Sequence, residues 1–189
     1  MTVTSGHRIV LPAEPLVDGA TMLRPWRDGD LAALAQIGRD PDVTHWMGLP
    51  RSYRDSDARA YLMSRYDGLH VGIRAPYAIA ARDDGELLGS IALAHFVWLH
   101  GRSEVGYWLA RAARGAGHAT RAVRLICGWG FDALGLERIE LHAAVDNPAS
   151  QRVAERAGFS REAVLRSRWT TYAGERHDMV CFGLLAGEL

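Results

Sequence analysis

The spacing of apolar positions changes along the chain, and each change marks an element. Residues 20–26 read as a first strand, after a lead-in over 1–19 that carries Pro12, Pro15 and Gly19 and is expected to be irregular. Asp28 is placed to cap a helix whose apolar positions Leu31, Leu34, Ala35 and Ile37 fall mostly on one face, with Pro41 as its end. Polar and aromatic residues then alternate over 42–70 (His45, Trp46, Met47, Tyr53, Tyr61, Tyr66), and a helix is expected at 57–66. Residues 76–82 and 86–99 predict two strands joined by the Asp83-Asp84-Gly85 turn, a strong hairpin signal, and 104–110 predicts another strand.

Beyond residue 110 the period lengthens. Ala119, Ala122, Val123, Ile126, Gly130 and Leu134 follow helical spacing, so 117–134 is expected to be an amphipathic helix. Ile139, Leu141, Ala143 and Val145 then alternate with Arg138, Glu140, His142 and Ala144, the pattern of a strand. Asn147-Pro148 combines a cap with proline at the first helical position, and Gly158 is the matching stop. Two final strands, 159–172 and 176–185, flank the Ala173-Gly174 turn. The fold class that results is α/β in the α+β sense. It is a mixed, mostly antiparallel sheet with one strand–helix–strand unit, in a single domain over 20–189.

Composition narrows the function. The chain has 189 residues and a formal net charge of zero, which leaves no basic footprint for nucleic acid. Cys127 and Cys181 are the two cysteines; neither a disulfide framework nor a zinc spacing is present, the histidines are scattered, and no metal is expected. Residues 1–20 lack signal-peptide character, and no apolar run is long enough for a bilayer, so a cytoplasmic protein without a membrane partner is expected. All 22 basic residues are arginine. A Walker A phosphate loop and a Schiff-base mechanism both need a lysine, and both are excluded.

The chemistry is concentrated in residues 107–120, Tyr-Trp-Leu-Ala-Arg-Ala-Ala-Arg-Gly-Ala-Gly-His-Ala-Thr, where a strand runs through a glycine-containing turn into a helix. Such a turn presents backbone N–H groups at the positive end of the helix and can hold a pyrophosphate without a cationic side chain. The two glycines alone fit an ordinary helix start equally well. A dinucleotide-binding reading also exists, since Gly115-x-Gly117-x-x-Thr120 opens a helix and Glu137 lies downstream. Against it, Thr120 stands where a third glycine is wanted, and a hairpin precedes the motif instead of alternating strands and helices.

Spacing favours a different reading. Arg114-x-x-Gly117-x-Ala119 resembles the Arg/Gln-x-x-Gly-x-Gly/Ala signature of the GNAT superfamily of N-acetyltransferases. Asn147-x-x-Ser150, Glu155 and Gly158-Phe159 resemble the block that follows it there, and 104–185 as a whole is similar to the RimJ/RimL-like branch.

The resemblance implies acetyl-CoA as co-substrate and a GNAT-like sheet whose central strands, here 104–110 and 138–145, splay apart to admit the pantetheine arm. It implies cofactor contacts from Leu109, Arg111, Arg114, Gly115, Ala116, Gly117, His118, Ala119, Thr120, Asn147 and Ser150. The implied reaction is attack of an amine on a thioester, which needs a base for the amine, stabilisation of an oxyanion and a proton for the thiolate. No enzyme nucleophile is required, so Cys127 fits a buried structural thiol.

Glu104 is the candidate base; a solvated strand-end glutamate is the other reading. Many family members place a tyrosine seven residues after the asparagine, where this chain has Ala154. The resemblance to the RimL-like branch implies that the serine, here Ser150, serves instead, by donating a hydrogen bond to the thiolate or relaying a proton through water; Tyr172 ranks second. The acceptor is expected to be a protein N-terminus or a small amine, and a homodimer is possible. A non-catalytic acyl-CoA-binding sensor is the remaining alternative.

Overall fold

A computed structural model describes residues 8–47, 49, 52–171 and 173–189. The described residues form one eight-stranded sheet. Its strands are β1 (Leu16–Asp18), β2 (Thr21–Arg24), β3 (Arg74–Ala81), β4 (Leu87–Val97), β5 (Arg102–Leu109), β6 (Arg138–Ala144), β7 (Ser160–Thr170) and β8 (Arg176–Leu185), in the spatial order β1-β2-β3-β4-β5-β6-β8-β7. Every neighbouring pair is antiparallel except β5 and β6. The helices are α1 (Leu31–Ile37), α2 (Pro41–Met47), α3 (Asp55–His70), α4 (His118–Leu134) and α5 (Pro148–Ala157).

Both faces of the sheet are covered. On one, α4 sinks Ala122, Val123, Ile126 and Cys127 against Leu93, Val105, Ile139 and Phe182. Truncating a residue such as Ile126 to alanine would cost about 2–5 kcal/mol. On the other face α1 and α3 pack Leu34, Ala58 and Leu62 over Ala78, Leu87 and Trp108. Alternation along β5 therefore sends Val105 and Leu109 to the α4 face and Trp108 to the α3 face. Hence each of its side chains belongs to one half of the site or the other.

Several expectations are corrected. Leu16–Asp18 pairs with β2 through a two-residue turn at Gly19, so the lead-in contains a strand, short enough for Pro15 and Gly19 to hide it. Asp28 opens a single 3-10 turn instead of capping the helix; Asp30 precedes α1 and accepts from the Arg27 N–H at 2.9 Å. Its carboxylate also takes a bidentate bond from buried Arg24, at 2.8 and 2.7 Å. Pro41 does not end a helix but starts α2, because a first-turn N–H needs no intrahelical acceptor and proline has none to lose. The helix expected at 57–66 extends to Asp55–His70. No helix among the described residues is long and apolar enough to cross a membrane.

Candidate active site

β5 and β6 pair in parallel only from Arg102↔Arg138 to Glu104↔Glu140. Beyond that row the strands part. The backbone groups of residues 105–109 that β4 does not take then face an open gap instead of a neighbour. The gap lies in a cleft of about 1060 Å³ lined from β4, β5, β6, α2, α3, α4 and α5.

One end of the cleft is the turn between β5 and α4. Gly115 and Gly117 both sit at φ +83°, in the left-handed region. A Cβ on Gly117 would also lie 3.0 Å from the Arg121 guanidinium, which donates to the Ala116 carbonyl at 2.9 Å. The first-turn N–H groups of His118, Ala119 and Thr120 have no acceptor inside α4, as at any helix start. The His118 ring turns away to Thr21, at 2.9 Å, and burial together with Arg121 lowers its pKa.

Arg114 bonds the Leu109 carbonyl through two nitrogens at 3.2 Å each, and reaches Asp42 at 2.8 Å and Asp40 at 3.1 Å. Arg111 pairs with the same two aspartates. The guanidinium groups thus fasten the turn to β5 and α2, and Arg114, the two glycines and the first turn of α4 line the cleft. Asp40 and Asp42 were invisible in the sequence reading because they lie 74 and 72 positions from Arg114.

The last paired row lies at the other end of the gap. Glu104 is half-buried there, with His142 at 3.6 Å and Arg168 at 3.7 Å. His142 Nε2 is buried, 3.5 Å from Glu140 and without a hydrogen bond. His142 is one strand repeat beyond Glu140 on the same face of β6, which alternation alone could have placed; its pairing with Glu104 needed the parallel register.

Across the sheet, Ser150 occupies the first turn of α5. Its N–H donates to the Asn147 side chain at 3.1 Å, so Asn147 is the helix cap expected from sequence. Gln151 fastens the same corner by donating to the Ala144 and Val145 carbonyls. Ser150 Oγ lies 3.2 Å from the hydroxyl of Tyr107, which comes from β5 and was not singled out in sequence. Burial pushes the Tyr107 hydroxyl up to about 12, against a smaller opposing effect of Ser150. Tyr107 is therefore a neutral O–H donor at any ordinary pH. Tyr172, the second-ranked acid, lies outside the described residues. Buried Cys127, its thiol held protonated by burial, contributes packing.

A parted β5–β6 pair, with a glycine turn and helix start at one end and a carboxylate at the other, defines an acyl-carrier cleft. Residues 21–160 match the model of the GNAT acetyltransferase domain. The uncharacterized N-acetyltransferase p20 of Bacillus licheniformis is 29% identical over 175 residues, 93% of this chain and 98% of the relative. The ribosomal-protein-serine acetyltransferase of Escherichia coli K12 is 32% identical over 83 residues, 44% of this chain and 46% of the relative. Mycobacterium smegmatis RimJ, solved in complex with CoA-disulfide, superposes with a TM-score of 0.79 at 25% identity, over 90% of this chain and 84% of that one. The chain belongs to the GNAT acetyltransferase family, in its RimJ/RimL-like branch, and is an acetyltransferase. The family uses acetyl-CoA.

Proposed function

We propose that the protein transfers the acetyl group of acetyl-CoA to a primary amine, a protein N-terminus or a small amine, by direct attack on the thioester. The observation that carries the reading is the opposition of Glu104 and the Tyr107–Ser150 pair on the two faces of β5, beside the gap. Acetyl-CoA laid in the gap would meet the turn over 114–120 with its pyrophosphate and the exposed β5 backbone with its pantetheine arm. Backbone N–H groups of β5 would steady the carbonyl oxygen as it becomes an oxyanion.

Attack and departure then take place on opposite faces. On the α3 face Glu104, directly or through water, takes a proton from the attacking amine, while His142 and Arg168 hold the carboxylate in place. The new C–N bond forms, the tetrahedral carbon collapses, and the C–S bond breaks. On the α5 face Ser150 donates a hydrogen bond to the leaving thiolate or relays a proton to it through water, so that the thiol forms with the serine left neutral and Glu104 returns the amine's proton to solvent. Tyr107 can donate to Ser150 in turn, which offsets the weak acidity of a serine and compensates for Ala154 at the usual tyrosine position.

Ser150→Ala is the test, because it removes only the hydroxyl and alanine suits a helix. Turnover should fall about ten- to a thousandfold, the span for a positioned acid or hydrogen-bond donor, while the dissociation constant for acetyl-CoA changes little. Full turnover in Ser150→Ala together with its loss in Tyr172→Phe would transfer the role to Tyr172. Binding of acetyl-CoA without turnover of any amine would favour a sensor.

A further inference from the structure

The α3 side of the cleft holds two guanidinium groups with no carboxylate partner. Other buried or half-buried arginines have acceptors: Arg24 meets Asp30, Arg138 meets Glu140 and Glu162, and Arg121 donates to the Ala116 carbonyl. Arg65 and Arg74 line the cleft, and among the described residues neither forms an ion pair or a hydrogen bond. Arg65 lies over the Tyr61 ring, 4.2 Å from its centroid, and its Nε is buried without an acceptor. Tyr61 is itself fixed, since its hydroxyl donates to Ser90 and accepts from Trp108, each at 3.0 Å. Arg74 runs beneath α3 at Gly68, where an added Cβ would come within 3.1 Å of it. Arg65 stands three residues, about one turn, before Gly68 on the same helix, and burial first and Arg65 second lower the pKa of Arg74.

Like charges placed together in a half-buried site cost free energy unless an anion joins them. We propose that Arg65 and Arg74 form an anion subsite for the acceptor, which is a small primary amine carrying a carboxylate or phosphate group. This rests on the acetyl-transfer reading above. Position supports it. Arg74 pairs with Ala94, Ala94 with Glu104, so guanidinium and candidate base occupy one cross-strand row. The row spans about 10 Å between the outer backbones, and the two long side chains shorten that reach, so a small acceptor bridges them. The row of Arg74 and Glu104 is set apart from the cofactor phosphates: the turn that would hold them begins past Leu109, five residues along β5 from Glu104, or roughly 17 Å.

Matched acceptors test the subsite: 4-aminobutanoate against 4-aminobutanamide, and 2-aminoethyl phosphate against ethanolamine. At least one anionic member should exceed its neutral partner tenfold or more in kcat/KM, and the better pair identifies the anion. Arg65→Gln and Arg74→Gln should each bring that ratio towards one, with glutamine retaining much of the packed stem. Calorimetric titration of the same compounds into the CoA-bound protein reads the subsite without chemistry, and the anionic member should bind more tightly. A ratio near one in both the kinetic and binding comparisons of the parent protein overturns the subsite, as does a ratio that survives both substitutions. Preference for peptides with acidic second residues, with none among the small pairs, overturns the small acceptor. If no amine reacts but the anions still bind through Arg65 and Arg74, the subsite stands and the acetyl-transfer reading fails.

Discussion

Tyr107 and Ser150 are 43 positions apart in sequence and 3.2 Å apart in space. Ser150 was legible beforehand because its motif block carries it; Tyr107 was not, since its meaning comes from contact with α5. Glu104 was expected at the start of its strand but is the third residue of β5, and its neighbours His142 and Arg168 come from β6 and β7. Tyr107→Phe should lower turnover at least severalfold and leave acetyl-CoA affinity near the parent value, because the hydroxyl supports Ser150. Burial keeps that hydroxyl protonated to about pH 12, so its contribution should be constant across an assay range below about pH 10. Equal turnover of Tyr107→Phe and parent protein would remove the relay. Glu104→Gln should lose more turnover at low pH than at high pH, since a base matters most while the amine is largely protonated. An even loss over the whole pH–rate profile would make Glu104 a binding or structural group.

Elements with strong period or punctuation were read closely. The sequence placed α4 and α5 within about a residue of their observed ends, because Gly117, Asn147-Pro148 and Gly158 mark them in local chemistry. The segment around α1 and α2 was misread, because a proline after a helix and a proline opening the next look alike until Gly38 is seen to close the first. At this scale the turn before α4 is the sharpest test. In Gly117→Val a branched side chain meets both a left-handed backbone and Arg121, and the turn must distort. Acetyl-CoA binding should be lost, and with it the thermal stabilisation that a bound ligand confers. Unaltered calorimetric affinity in Gly117→Val would show that the cofactor's phosphates lie elsewhere.

For the whole molecule, the decisive feature is one parallel pair in an otherwise antiparallel sheet, which holds for three residue pairs and then opens. The mixed sheet with a central strand–helix–strand unit was legible from the order of periods. The width of the opening and the juxtaposition of Arg65 on α3 with Arg74 on β3 were not, since both arise where distant strands and a helix meet. The same architecture puts the base on one face and the donor pair on the other, with the carrier between them. The most direct measurement is acetyl-CoA consumption by the purified protein, following free thiol and acetylated amine together over an acceptor panel. Stoichiometric release of CoA and formation of an N-acetyl product, dependent on both substrates and on Ser150, is the predicted result. Tight acetyl-CoA binding with no amine-dependent thiol release across protein N-termini, neutral amines and anionic amines would contradict it.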